Sequence, residues 1–250
     1  MTSYFLRLNA SKTQFMIIIP PAMRRVIKIK GIFINGVCIR VVDCAKNLGV
    51  LLDNELTFKE QISKLVSSCF FAIRKLSKIK DFLSFEELRT AVSTFIFNNL
   101  DYCNSLYFGI NADLLDKMQY VQNTAARLVK RKKRFQGSTT DFIRECHWLR
   151  IRERIVFKIC LFVHKCLHGK APKCLSDMLT YTGSSRTMKL EQPAYKGCFG
   201  SRCFGRVGPK LWNLLPMKIC VEIDTDQFKK QLKTFLFNGF HHFEQKMNNC

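Results

Sequence analysis

Residues 57–79 read TFKEQISKLVSSCFFAIRKLSKI, and across them the hydrophobic period of the chain changes. Phe58, Ile62, Leu65, Cys69, Ala72, Leu76 and Ile79 recur every three or four positions, which places them on one face of an α-helix. Thr57 and Glu60 stand at capping-box spacing and mark the start.

The helical pattern continues downstream. Ser84 and Glu87 form a second capping box, opening a helix that reaches about Asn98. After the turn-rich FGINAD a third helix runs from near Leu114 to Lys130, with Met118, Val121, Ala125 and Leu128 on one face. Three consecutive helices with short links predict a small antiparallel bundle. A fourth helix spans 151–168 and is stopped by Gly169 and Pro172. The stretch 181–208 is rich in Gly, Ser and Arg and predicts no regular element. The last helix, FKKQLKTFLF at 228–237, turns Phe228, Leu232 and Phe235 inward and its lysines outward.

Upstream of Leu56 the period is that of β structure. QFMIII at 14–19 predicts a short buried strand stopped by Pro20 and Pro21. IFI and VCIRVV flank Asn35-Gly36, a strong hairpin signal. KNLGVLLD at 46–53 predicts one further strand carrying a glycine where another backbone or a ligand comes close. The fold class is therefore α+β and mostly α, with a small β region ahead of a helical bundle and an irregular helical C-terminal region.

With 250 residues and 47% hydrophobic content, the chain can bury a core. Its formal net charge of +22 makes a polyanion the leading partner class, nucleic acid ahead of an acidic membrane surface. The 12 cysteines lie mostly in apolar runs such as FKICLF, which suits reduced, buried thiols of a cytoplasmic or nuclear protein. No apolar run approaches the roughly 20 residues that span a bilayer, and no signal peptide is evident.

Common catalytic motifs are missing: the sequence holds no P-loop, GxGxxG, GxSxG or HExxH. Cys160, His164, Cys166, His168 and Cys174 invite a zinc reading, but their spacing matches no familiar finger, and packed apolar cysteines account for them better. The pair Cys198 and Cys203 is weaker still. Asp43, Asp53 and Asp101 are too dispersed to advertise a two-metal site, and a cap or a buried hydrogen bond is the expected role of Asp101.

Six blocks then carry a resemblance: NASKTQFMII, KNLGVLLDNELTF, NNLDYCNSLYFG, MQYVQNTAARLV, CHWLRIRERIVFKI and GPKLWNLLP. In this order they resemble the C-terminal half of the reverse transcriptase of non-LTR retrotransposons, the LINE-type, jockey-like elements. The resemblance runs from about Met1 to Phe237 and implies the end of a polymerase palm at 1–53, a helical thumb at 54–136, a C-terminal retroelement segment at 137–240 and a tail at 241–250. Met1 corresponds to a methionine just downstream of the catalytic Tyr-x-Asp-Asp motif, so the palm and fingers are expected upstream of it.

The resemblance also implies roles. Lys12 would lie near the phosphates of an incoming nucleotide, and Asn47, Leu48, Gly49 and Val50 resemble the primer grip, a hairpin under the primer 3′ end. A solvated strand-end lysine and a plain sheet glycine are the competing readings of Lys12 and Gly49. The thumb would hold the template–primer duplex by shape and phosphate contacts, with Arg127, Lys130, Arg131, Lys132, Lys133 and Arg134 on phosphates. The intact family enzyme would use Mg2+; this chain carries none of the metal-binding carboxylates and is expected to need no cofactor and to have no polymerase activity alone. RNA template, DNA primer or target, and the missing palm and fingers are its expected partners, and a membrane is not. A stand-alone RNA/DNA-binding remnant and a non-functional relic are the alternatives. The family shows Pro where this chain has Arg150.

Overall fold

In a computed structural model, residues 9, 12–20, 23, 26–27, 29–34, 36–133, 136–182, 188–195, 197 and 199–249 are described. They form two compact units, 1–64 and 65–250.

The first unit holds two antiparallel hairpins. Strands β1 (Gly31–Ile34) and β2 (Val37–Arg40) pair from Gly31 with Arg40 to Ile34 with Val37. The two-residue turn between them is the expected one; Gly36 sits at φ 78°, and Asn35 lies outside the described residues. The segment 46–53, expected to be one strand, is instead most of a second hairpin. Strand β3 (Cys44–Asn47) turns at Leu48 and Gly49 into β4 (Val50–Asp53). Leu48 and Gly49 have φ of 45° and 89°, the two left-handed residues of a tight hairpin turn. Gly49 thus supplies the geometry of a tight turn. The expected strand at 14–19 is also corrected: it makes a single parallel bridge, Phe15 to Val41, with the Val42 N–H donating to the Phe15 carbonyl at 2.8 Å. Pro21 lies outside the described residues.

Helix α1 (Lys59–Ile79) begins in the first unit and ends in the second. Its start differs from the expected capping box. The Asp53 carboxylate accepts hydrogen bonds from the N–H groups of Glu55, Thr57 and Phe58 at 3.1, 2.9 and 2.7 Å, so Thr57 has no amide left for Glu60. Burial alone would raise the Asp53 pKa, yet the amide bonds from Thr57 and Phe58 outweigh it and hold the carboxyl below the ordinary aspartate range. Ile62, Cys69, Ile73 and Leu76 lie on the buried face. Burial pushes the Cys69 thiol up to about 11.

The second unit is helical. After a 3-10 turn, α2 (Phe85–Val92) opens with the expected box: the Glu87 N–H donates to Ser84 Oγ at 3.3 Å and the Ser84 N–H to Glu87 Oε2 at 2.7 Å. A π-helical turn, Ser93–Phe97, carries it into α3 (Asn98–Asp101). Helix α4 (Ala112–Val129) is capped by Asn111 and buries Met118, Val121, Ala125 and Leu128 as expected. It packs on α2, on α5 (Thr139–Glu145) and on α6 (Ile151–Leu167).

At the start of α6, Arg150 has φ −69°, a value proline would share, and its N–H donates to Glu153 Oε2 at 2.7 Å. Proline could not make that bond. The short α7 (Lys173–Ser176) follows. The Gly-rich stretch, expected to be irregular, ends in α8 (Phe204–Asn213), the main neighbour of α6. A Cβ on Gly208 would lie 2.9 Å from Val163 Cγ2, so glycine there sets the approach of the two helices. Helix α9 (Met217–Cys220) leads to α10 (Thr225–Asn249), which is longer than the expected 228–237 and makes 241–249 helical rather than a tail. Its buried residues are Phe228, Leu232 and Leu236, while Phe235, expected inward, is half-buried.

Candidate nucleic-acid interface

Several polar residues in the last four blocks that carry the resemblance are structural clamps of the second unit. Asp101 accepts from Arg154 Nε at 2.8 Å and from Arg154 Nη2, and Asn104 Nδ2 donates to the same carboxylate at 3.2 Å. This matches the hydrogen-bonding role expected of Asp101. Gln122, fully buried, donates to the Leu149 carbonyl at 2.7 Å, and Gln119 Oε1 accepts from the Ile151 N–H at 3.1 Å. Trp212 Nε1 donates to the Met188 carbonyl at 2.9 Å, and the Asn213 amide bonds both the N–H and the carbonyl of Leu190. Each clamp satisfies a backbone or charged group that burial would otherwise penalise.

Of the cysteine and histidine group, Cys160, His164 and Cys166 are buried in the core, His168 is half-buried and Cys174 is exposed. His164 Nε2 bonds the Glu222 carbonyl at 2.9 Å and its ring stacks on Phe228 at 4.1 Å. Burial holds the His164 pKa below the ordinary histidine range and pushes the Cys160 thiol up. Among the described residues no three His, Cys, Asp or Glu side chains converge to hold a metal ion. Cys198 lies outside the described residues, and Cys203 is half-buried. No helix among the described residues is long and apolar enough to cross a membrane.

The basic run after α4 serves several masters. Arg127 Nη2 donates to Thr139 Oγ1 at 3.1 Å, tying α4 to α5. Lys130 pairs with Glu145 at 2.5 Å and lies over the Phe85 ring at 4.9 Å. Arg131, at φ 53°, donates through Nη2 to the carbonyls of Lys80 and Leu83, closing the turn between α1 and α2. Lys132 and Lys133 are exposed, and Arg134 lies outside the described residues. In the first unit Lys12 is exposed in a one-turn bend, its N–H on the Asn9 carbonyl at 3.1 Å. Asn47, Leu48 and Gly49 form an exposed hairpin tip, and Val50 is buried beneath it.

A second basic surface lies on the outer face of α1, a surface that sequence reasoning missed. Phe71 and Phe82 are 53% and 87% exposed, too open to be core, and Arg74, Lys75 and Lys78 stand between them in sequence on the exposed side. Lys75 Nζ lies 4.5 Å from the centre of the Phe71 ring. Arg74, Lys75 and Lys78 have no ion pair among the described residues, unlike Arg89, Lys130, Arg152 and Arg154. Uncompensated cations interleaved with open aromatic rings suit a phosphate backbone flanked by sugar or base surface. No family model, curated protein or solved structure matches the chain.

Proposed function

We propose that the chain is the thumb and C-terminal part of a reverse transcriptase of the non-LTR retrotransposon type, and that it holds an RNA–DNA template–primer duplex. The observation that supports this reading most is the outer face of α1, with Arg74, Lys75 and Lys78 unpaired among the described residues and Phe71 and Phe82 open beside them. The duplex is bound through its backbone and shape, so the chain contributes positioning and electrostatics while the metal-binding carboxylates belong to the palm. The primer-grip reading of Asn47, Leu48, Gly49 and Val50 belongs to this proposal and draws support from their placement at a hairpin tip.

The first unit supports the palm and fingers as partners. Val26, Phe33 and Leu48 are 77%, 77% and 85% exposed, and among its described residues few apolar ones are buried. Such open apolar surface is expected where another domain packs. Binding of a labelled RNA–DNA primer–template across a salt series tests the proposal. A soluble chain whose affinity falls steeply with salt, and which prefers the hybrid duplex to either single strand, supports it. A soluble chain with no binding at low salt contradicts it and leaves the relic.

A further inference from the structure

A cavity of about 490 Å³ opens in the second unit between α2, α6 and α10, and three cations reach it from these three helices: Arg89, Arg154 and Lys233. One carboxylate lines it, Asp101, and it is committed to Arg154 through two hydrogen bonds. Arg89 leans to Glu86 at 2.7 Å on the outer rim, a carboxylate whose side chain is 65% exposed. Lys233 has no acidic partner among the described residues. Partial burial, and then the charges of Arg154 and Arg89, push the Lys233 ammonium below the ordinary lysine range.

The wall behind these cations is aromatic. Arg154 lies 4.7 Å over the Phe97 ring, and Phe97 meets Trp148 edge to face at 4.5 Å. The π-helical turn Ser93–Phe97 also lies on this wall, and such turns recur at functional sites. Asp101 offsets Arg154, and the solvent-exposed Glu86 offsets Arg89 only in part, so the cavity keeps a positive surplus of roughly one to two charges, centred on Lys233, that an anion would offset. A phosphate monoester, with about one and a half to two negative charges at neutral pH and three acceptor oxygens, can meet this surplus and all three cations at once.

We propose that this cavity is a phosphate-monoester site, taking the phosphate of a mononucleotide or the terminal phosphate of a nucleic-acid strand, with Lys233, Arg89 and Arg154 as its ligands. The site lies apart from the outer face of α1 and stands whether or not that face binds a duplex.

The test uses the full chain and two variants, Lys233→Met, which keeps the stem and removes the charge, and Lys233→Arg, which keeps it. Calorimetry compares inorganic phosphate, AMP and adenosine, and anisotropy compares a short DNA strand bearing a 5′-phosphate with its 5′-hydroxyl counterpart. The phosphate-bearing member of one of these pairs is expected to bind at least about tenfold more tightly, with the preference lost in Lys233→Met and kept in Lys233→Arg. Preference for AMP assigns the source to a free nucleotide; preference confined to the 5′-phosphate assigns it to a strand end. Equal binding within both pairs, or a preference that survives Lys233→Met, overturns the proposal. Salt-dependent duplex binding, measured on Lys233→Met in parallel, separates failure of this site from failure of the duplex reading.

Discussion

Removing the Asp101 carboxylate tests the clamp that joins α3 to α6. The pair is neither open nor sealed, since the Arg154 side chain is 19% exposed and that of Asp101 30%. Exposed pairs contribute under about 1 kcal/mol, whereas breaking a buried pair costs about 3–5 kcal/mol because a charge is left uncompensated. Two bonds to the guanidinium and one from Asn104 place Asp101→Ala between these limits, at a loss of about 2–3 kcal/mol. Stranding Arg154 beside Arg89 and Lys233 adds like-charge repulsion. The assay is urea unfolding followed by tryptophan fluorescence; the chain has 2 tryptophans, Trp148 and Trp212, and both report on the second unit. Arg154→Met and the double variant complete a cycle with an expected coupling of about 2 kcal/mol. A coupling below about 0.5 kcal/mol would refute the clamp.

Three further outcomes follow. The Asp53 carboxyl is held below its unfolded range, so the stability it gives is present above ordinary aspartate pKa values and lost as pH falls through its folded value; the protection of the Glu55, Thr57 and Phe58 amides, relative to their intrinsic exchange rates at each pH, should fall in acid, and Asp53→Asn should remove that pH response. Leu48→Asn should stabilise the β3–β4 hairpin by about 0.5–1 kcal/mol, because Asn tolerates the left-handed turn that Leu adopts at φ 45°, read as slower exchange of the amides of Asn47 and Val50, the pair that closes the turn. Arg150→Pro should fit the backbone yet cost the second unit about 1 kcal/mol in urea unfolding, through loss of the N–H bond to the buried Glu153; a neutral result would show that bond to be worth nothing.

The long helices α1, α4 and α6 were legible because their apolar residues recur at helical spacing and packing only enforced what the period announced. The β3–β4 turn was legible only through the resemblance to a hairpin at Asn47–Val50 and not from the residue pattern, since Leu at a left-handed position carries none of the Asn or Asp signal that marked the first hairpin. Thr57 and Glu60 had capping-box spacing, but the carboxylate of Asp53 reached across a turn and took the Thr57 amide first. Helix α8 hid behind Gly205, Gly208 and Pro209, residues poor in helix propensity; Gly208 serves close packing on α6, and Gly205 lies against Tyr195 and Met178. For the site, adjacency in sequence misled: Arg127, Lys130 and Arg131 are neighbours tied to separate partners, while Arg89, Arg154 and Lys233 meet only through tertiary structure.

The α1 face carries the functional proposal, and its charge is the quantity to measure. The triple variant Arg74→Gln, Lys75→Gln, Lys78→Gln is compared with the parent chain for binding an RNA–DNA primer–template between low and moderate salt. If these side chains lie on phosphates, the slope of log K against log salt should shrink by about two to three units and affinity at low salt should fall about a hundredfold, with urea stability unchanged. An unchanged slope in a folded triple variant would contradict the assignment of this face to nucleic acid.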